Sequence, residues 1–310
     1  MSATINGLHH VTAISGSAQG NYDFYRKALG LRFVKKTVNF DDPGTYHLYY
    51  GDETGAPGTA ITFFPWEGIR KGEIGAGQVS VTHYAVPAGS LGFWAQRLPG
   101  FGATHLADET VFGEPRSVWA DTDGLRFALV ETEDDRAPWT GEGIPADKAI
   151  RGFRGVTLAL RDGASTARIL TEVFGYEAAA EEGAVQRFTT GNSSTANIVD
   201  LHVDAQMPLG REGAGTVHHV AFAVENRAAQ MEVKARMEAA GMLVTPQIDR
   251  DYFYAIYSRT PGGVLFEVAT NEPGFTADEP LETLGEALKL PNQHEPLRAR
   301  IEQVLPELVA

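Results

Sequence analysis

Two histidine pairs stand at matching points of a recurring segment. His9-His10 opens the stretch LHHVTAI and His218-His219 opens VHHVAFAV, each followed by small and branched apolar residues. A third polar residue, Glu267, ends the run Gly262-Gly263-Val264-Leu265-Phe266-Glu267 and sits inside an otherwise apolar strand pattern. A buried carboxylate without a partner is costly, and a metal ion is one standard way to offset that cost. Two imidazoles and one carboxylate on one side of an ion leave its remaining positions open, which is the facial arrangement of non-haem Fe(II) oxygenases. A lone strand histidine is usually a satisfied structural residue. Two His-His pairs at equivalent points plus a mid-strand glutamate argue instead for a metal site made of His10, His219 and Glu267.

The elements that must position these residues repeat four times. From Gly7 to Trp66 the chain reads as strand, helix (NYDFYRKALG) and three strands (LRFVKKTVNF, TYHLYYGD, TAITFFPW). The same order recurs near Val79, near Gly152 and from Thr216, which predicts an α+β fold of four βαβββ modules. Each helix pattern ends on a glycine, at Gly30, Gly102, Gly175 and Gly241, as a helix stop should. When the first strands are aligned, the third copy holds Arg154 and Gly155 where the fourth holds His218 and His219. The second copy holds Val81, with His83 two residues further on. Only the first and last copies therefore present histidine at the same point. In the last strands Phe63 and Ala128 stand where Glu267 would be, so Phe63 is expected to fill the fourth corner of the site. The acidic, Pro- and Gly-rich stretch Glu131–Ile150 reads as a linker. It divides the chain into residues 1–140 and 150–275, two modules each, with a tail over 276–310. Leucine spacing in that tail predicts two short helices packed on the body.

Among 310 residues the formal charge is −14, which excludes a nucleic-acid partner and an anionic membrane surface, since both need a basic face. The chain has no cysteine, so a metal must rest on His, Asp and Glu. No apolar run is long enough for a membrane helix, and the N-terminal stretch lacks a basic-then-apolar leader; a cytoplasmic location is the expectation. Nothing in the sequence sets the oligomeric state, and a homo-oligomer is compatible with it.

Repeated βαβββ units resemble the vicinal-oxygen-chelate superfamily (glyoxalases, bleomycin-resistance proteins and extradiol dioxygenases), whose paired modules form curved sheets around a cavity. A closer resemblance extends over nearly the whole length, to the hydroquinone-type ring-cleaving dioxygenases of the extradiol family. It is carried by LHHVTAI with FYRKALGLRFVKKTVNFDDPGTYHLYYGD, by VHHVAFAV, by RDYFYAIYSRTPGGVLFEVAT and by the tail LGEALKLPNQHEPLRARIEQVLPEL. The resemblance implies Fe(II), ahead of Mn, Zn or Ni, on His10, His219 and Glu267. It also implies pairing of the first module with the last, and a small aromatic diol and O₂ as reactants. His9 and His218 are implied to approach the substrate; a flat strand would turn them to the other face, so the strands must twist or bulge there. Tyr257 is implied as a hydrogen-bond donor or acid/base group and Arg250 as an anion contact. Phe63, Phe253 and Tyr254 are expected to line the cavity, and His47, His83, His105, His202 and His294 are read as structural. Two rivals remain, a glyoxalase-like lyase using Zn or Ni and a metal-free binding module. The first usually wants a second carboxylate, and the second has no use for the triad.

Overall fold

In the computed structural model, which describes residues 3–309, sixteen strands form two eight-stranded sheets. Met1, Ser2 and Ala310, at the outer ends of the first segment and the tail, lie outside the described residues. The first module is β1 (Leu8–Ser15), α1 (Ala18–Asp23, extended by a wider turn over Phe24–Ala28), β2 (Arg32–Val38), β3 (Tyr46–Gly51) and β4 (Ala60–Pro65). The second is β5 (Gln78–Val86), α2 (Leu91–Arg97), β6 (Thr104–Val111), β7 (Glu114–Ala120) and β8 (Arg126–Glu131). The third is β9 (Gly152–Leu160), α3 (Ala164–Arg168), β10 (Glu177–Glu182), β11 (Val185–Thr189) and β12 (Ile198–Val203). The fourth is β13 (Thr216–Val224), α4 (Arg227–Ala239), β14 (Ile248–Asp249), β15 (Phe253–Arg259) and β16 (Leu265–Pro273). The expected repeat is thus present four times. Residues 132–151 carry no strand or helix among them.

The sheets do not follow the sequence halves. One has the order β14-β15-β16-β13-β1-β4-β3-β2 and joins the first module to the fourth; the other, β10-β11-β12-β9-β5-β8-β7-β6, joins the second to the third. At each centre two first strands run antiparallel, β1 beside β13 and β5 beside β9, and each is flanked by the parallel last strand of its own module. Strand periodicity then sorts the side chains. Val11, Ala13, Phe63, Val220, Phe222, Phe266 and Val268 enter the large apolar core. The intervening residues, His10, Thr12, Thr62, His219 and Glu267, face the other way.

Local signals explain the helices. Ser17 and Asn226 cap α1 and α4 by accepting from the backbone N–H groups of Gly20 and Ala229. Gly30, Gly102, Gly175 and Gly241 all have φ between 67° and 82°, the left-handed conformation that ends a helix cheaply only for glycine. The tail departs from expectation. It forms one α-helix, α5 (Arg298–Val304), while Leu281 to Leu288 makes only tight turns, at Leu281–Thr283 and over 284–286. There the chain pairs with the sheet edge instead, Leu288 bridging Lys36 and the Lys289 N–H donating to the Lys36 carbonyl at 2.9 Å. Open hydrogen-bonding groups on an edge strand outcompete a short helix. Among the described residues no helix is long and apolar enough to cross a membrane.

Candidate metal centre

His10 and His219 meet because β1 and β13 are offset so that Thr12, not His10, lies opposite His219. The two Nε2 atoms are 3.3 Å apart. β16 then sets Glu267 beside Ala221, and its Oε2 lies 3.4 Å from His10 Nε2 and 2.9 Å from His219 Nε2. For ligands about 2.1 Å from a common ion, mutually adjacent positions are separated by about 3.0 Å. All three edges of the triangle are close to that value. Among the described residues this is the group whose atoms could hold a metal ion.

The electrostatics ask for a cation. Glu267 is fully buried, and neither carboxylate oxygen receives a well-directed hydrogen bond. Burial by itself raises its carboxyl, but positive charge placed at the His10 and His219 rings outweighs that and draws it well below its ordinary range, the same service a bound cation would give. His219 is in turn pushed down, mainly by burial, with Glu267 opposing. The neighbouring histidine orients His10. His9 Nε2 lies 3.1 Å from the Thr270 carbonyl, which only accepts, so Nε2 carries the proton. Burial first, then His10, drives the His9 pKa down to about 3, so the ring is neutral and its Nδ1 accepts. His10 Nδ1, 2.9 Å away, must then donate to it, which leaves His10 Nε2 bare and aimed at the cluster. A carboxylate and a bare imidazole nitrogen confront each other here, and a divalent cation fits what the cluster lacks.

Both leading histidines sit on β-bulges. Pairing slips between Leu8 and His10 on β1, and between the partners of Thr12 and Ala13 on β13, leaving His9 and His218 as the extra residues. Each ring thereby reaches the Nδ1 of its neighbour, His218 at 2.8 Å from His219. Their surroundings differ. His218 lines the cavity in front of the cluster, whereas His9 borders a smaller cleft beside Thr54, Pro57 and Asn271.

That front cavity has a volume of about 440 Å³, within the usual range for a small-molecule site. Tyr257 pairs directly with Glu267 across β15 and β16, and burial, then Glu267, raises its hydroxyl pKa. Arg250 enters from the β14–β15 turn with its guanidinium 5.6 Å from the Tyr257 ring centre. Phe253 packs 5.0 Å from His10. Two other expected wall residues are elsewhere. Tyr254 turns away under Arg227, and Phe63 is wholly buried in the core, 4.3 Å from Tyr25. The walls are instead Phe40, Tyr49, Phe64 and Trp66.

The error at Phe63 is one residue of register, which flips a strand side chain to the opposite face. β1 pairs with β4 so that Thr12 lies beside Thr62, the position matching Ala221 beside Glu267. Thr62 therefore occupies the fourth corner. Its hydroxyl is 2.7 Å from that of Thr12 and 2.9 Å from His47 Nε2, while the Tyr49 hydroxyl bonds His47 Nδ1 at 2.8 Å. His47, read as structural, lines the cavity after all. The available signal was alternation, since Tyr49 on β3 is the counterpart of Tyr257 on β15 and His47 lies two residues before it. His83 and His105 do stay outside the cavity.

A family profile matches residues 7–138 and 152–268, described as the glyoxalase/bleomycin resistance protein/dioxygenase superfamily. The chain belongs to that superfamily. It is 48% identical over 302 residues to the "Putative ring-cleaving dioxygenase MhqO" of Bacillus subtilis, covering 96% of this chain and 95% of the relative. It is 36% identical over 302 residues to a chlorohydroquinone/hydroquinone 1,2-dioxygenase of Sphingobium indicum, covering 94% and 93%. A crystal structure named "putative dioxygenase" from B. subtilis superposes with a TM-score of 0.95 at 46% identity, covering 99% of each chain.

Proposed function

We propose that this superfamily member is an Fe(II)-dependent dioxygenase that cleaves a dihydroxylated aromatic ring of the hydroquinone type. The observation that carries the reading is the facial His10–His219–Glu267 triangle, open on its cavity side and walled by aromatic rings. The Sphingobium relative, a chlorohydroquinone/hydroquinone dioxygenase by name, supports the substrate class. Iron is preferred over Mn, Zn or Ni because two imidazoles and one carboxylate with open positions suit non-haem Fe(II) oxygenases. When bound, Fe(II) supplies Lewis acidity toward ring hydroxyls and the one-electron chemistry that dioxygen requires.

The chain's own residues do the rest. His10, His219 and Glu267 hold the ion, and His9 keeps His10 in the tautomer that presents Nε2. With His219 Nε2 turned to the ion, its Nδ1–H donates to His218 Nδ1, so the proton of His218 resides on Nε2 as a donor for the bound diol. The Tyr257 hydroxyl stands beside Glu267 and holds a proton at the edge of the substrate space. Phe253, Phe40 and Trp66 give a flat ligand apolar faces and exclude water.

A glyoxalase-like lyase is less well served, because Thr62 and not a second carboxylate faces the cluster. Oxygen electrode traces with the iron-loaded protein decide the matter. Hydroquinone should draw one O₂ per ring opened, with loss of aromatic absorbance. Catechol turnover with none of hydroquinone would move the substrate class, and turnover of a glutathione hemithioacetal without oxygen would sink the dioxygenase reading.

A further inference from the structure

Charge at the cavity mouth comes as a pair, a largely buried Arg250 and an Asp41 whose side chain is 78% exposed. Arg250 sits in the turn after β14, where Asp251 adopts φ of 63° and its N–H donates to Asp249 Oδ1 at 2.9 Å. The guanidinium is largely buried and lies between two rings, 5.3 Å from Phe40 and 5.6 Å from Tyr257. Its Nη2 donates to Asp41 Oδ2 at 3.2 Å. Among the described residues Asp41 is the one carboxylate ion-paired with it. With Glu267 assigned to the ion, the other lining side chains are imidazole, hydroxyl, amide, aromatic and aliphatic.

Asp41 is held where it can do this. It belongs to the loop joining β2 to β3, and its neighbour Asp42 accepts from the Trp66 indole at 3.1 Å and the Thr45 hydroxyl at 2.8 Å. Adjacent carboxylates thus fasten the loop at both sides of the cavity mouth, Asp42 to the first module and Asp41 to the fourth. A ring bearing its own carboxylate would have to displace Asp41 from Arg250 or lie beside it as a second negative charge. Either costs binding energy that an uncharged substituent does not.

We propose that Asp41 is a specificity residue: by neutralising Arg250 it reserves the cavity for diols with uncharged ring substituents and turns away carboxylated ones. The inference rests on the ring-diol reading above and adds the charge class of the substrate to it. Asp41→Asn keeps the shape of the side chain and removes its charge.

The test compares dissociation constants of hydroquinone and 2,5-dihydroxybenzoate by calorimetry on the iron-loaded protein under nitrogen. The wild type should prefer hydroquinone, and Asp41→Asn, which removes a largely exposed carboxylate, should shift that ratio about three- to fivefold toward the carboxylated diol. Adding Arg250→Met should reverse the shift, because the gain runs through the freed guanidinium. A ratio that moves less than twofold in Asp41→Asn overturns the proposal, as does a shift that survives in the double variant. Oxygen uptake separates the two layers. If hydroquinone binds but is not consumed, ring cleavage fails while the binding ratio still decides the role of Asp41. If it is consumed and the ratio does not move, only the role of Asp41 fails; binding of neither diol overturns both.

Discussion

The two sheets place different chemistry at the same backbone positions. Strand pairing makes Val81 the counterpart of His10, Gly155 of His219, Asp200 of Glu267 and Arg187 of Tyr257. Even the bulges recur, with Ser80 and Arg154 where the first sheet has His9 and His218. In the second sheet the buried carboxylate has a cation from the chain itself. Arg187 grips Asp200 through two contacts of 2.8 and 2.9 Å and reaches Glu114 at 2.6 Å, and Glu114 also takes Arg154. In the first sheet the corresponding residue, Tyr257, brings no charge, and Glu267 faces imidazoles. A fold that buries a carboxylate at this point must supply a positive charge. One sheet does so with a guanidinium, and the other leaves room for an ion.

The largest expected effect breaks the second sheet's solution. Arg187→Met strands the fully buried Asp200, which should cost about 3–5 kcal/mol in chemical denaturation. Iron content should not change, and Arg187→Met with Asp200→Leu should recover much of the loss. If Arg187→Met alone were as stable as the wild type, the guanidinium would not be what balances that carboxylate.

A smaller effect sharpens the first sheet's side of the comparison. Tyr257→Phe keeps the ring and deletes a donor near developing charge, a loss that typically costs on the order of a hundredfold in kcat, or about 2.7 kcal/mol. Iron should be retained and substrate binding weakened much less than turnover. Wild-type turnover would make Tyr257 a packing residue; loss of iron would place its hydroxyl in support of the ligands.

Smaller still is Thr62→Val, isosteric and aimed at the corner opposite Glu267. It removes the shared hydroxyl between Thr12 and His47, so a destabilisation of about 1 kcal/mol is expected, with iron occupancy intact. A stoichiometric loss of iron there would mean that Thr62 belongs to the metal's immediate surroundings.

Much of this was legible before the fold. Four-fold periodicity and helix-stop glycines gave the modules, and the paired histidines with Glu267 marked the site. What the sequence hid was register. Phe63 and Thr62 are adjacent and both suit a strand, and only the pairing of Thr12 with Thr62 decides which one faces the cluster. Asp200 escaped alignment for the same reason, since the irregular stretch before β12 gives no anchor from which to count. His47 and the loop carrying Asp41 were hidden because their partners, Thr62 and Arg250, are remote in sequence or fixed by a turn. The second tail helix failed on a different ground, because leucine spacing cannot reveal that a sheet edge is waiting to be paired.

The most direct test of the contrast between sheets is the Fe(II) stoichiometry of the purified chain, measured anaerobically. One ion per chain is predicted, falling close to zero in Glu267→Ala and remaining at one in His83→Ala. Two ions per chain, or full occupancy in Glu267→Ala, would contradict the claim that the first sheet alone leaves its buried carboxylate for a metal to satisfy.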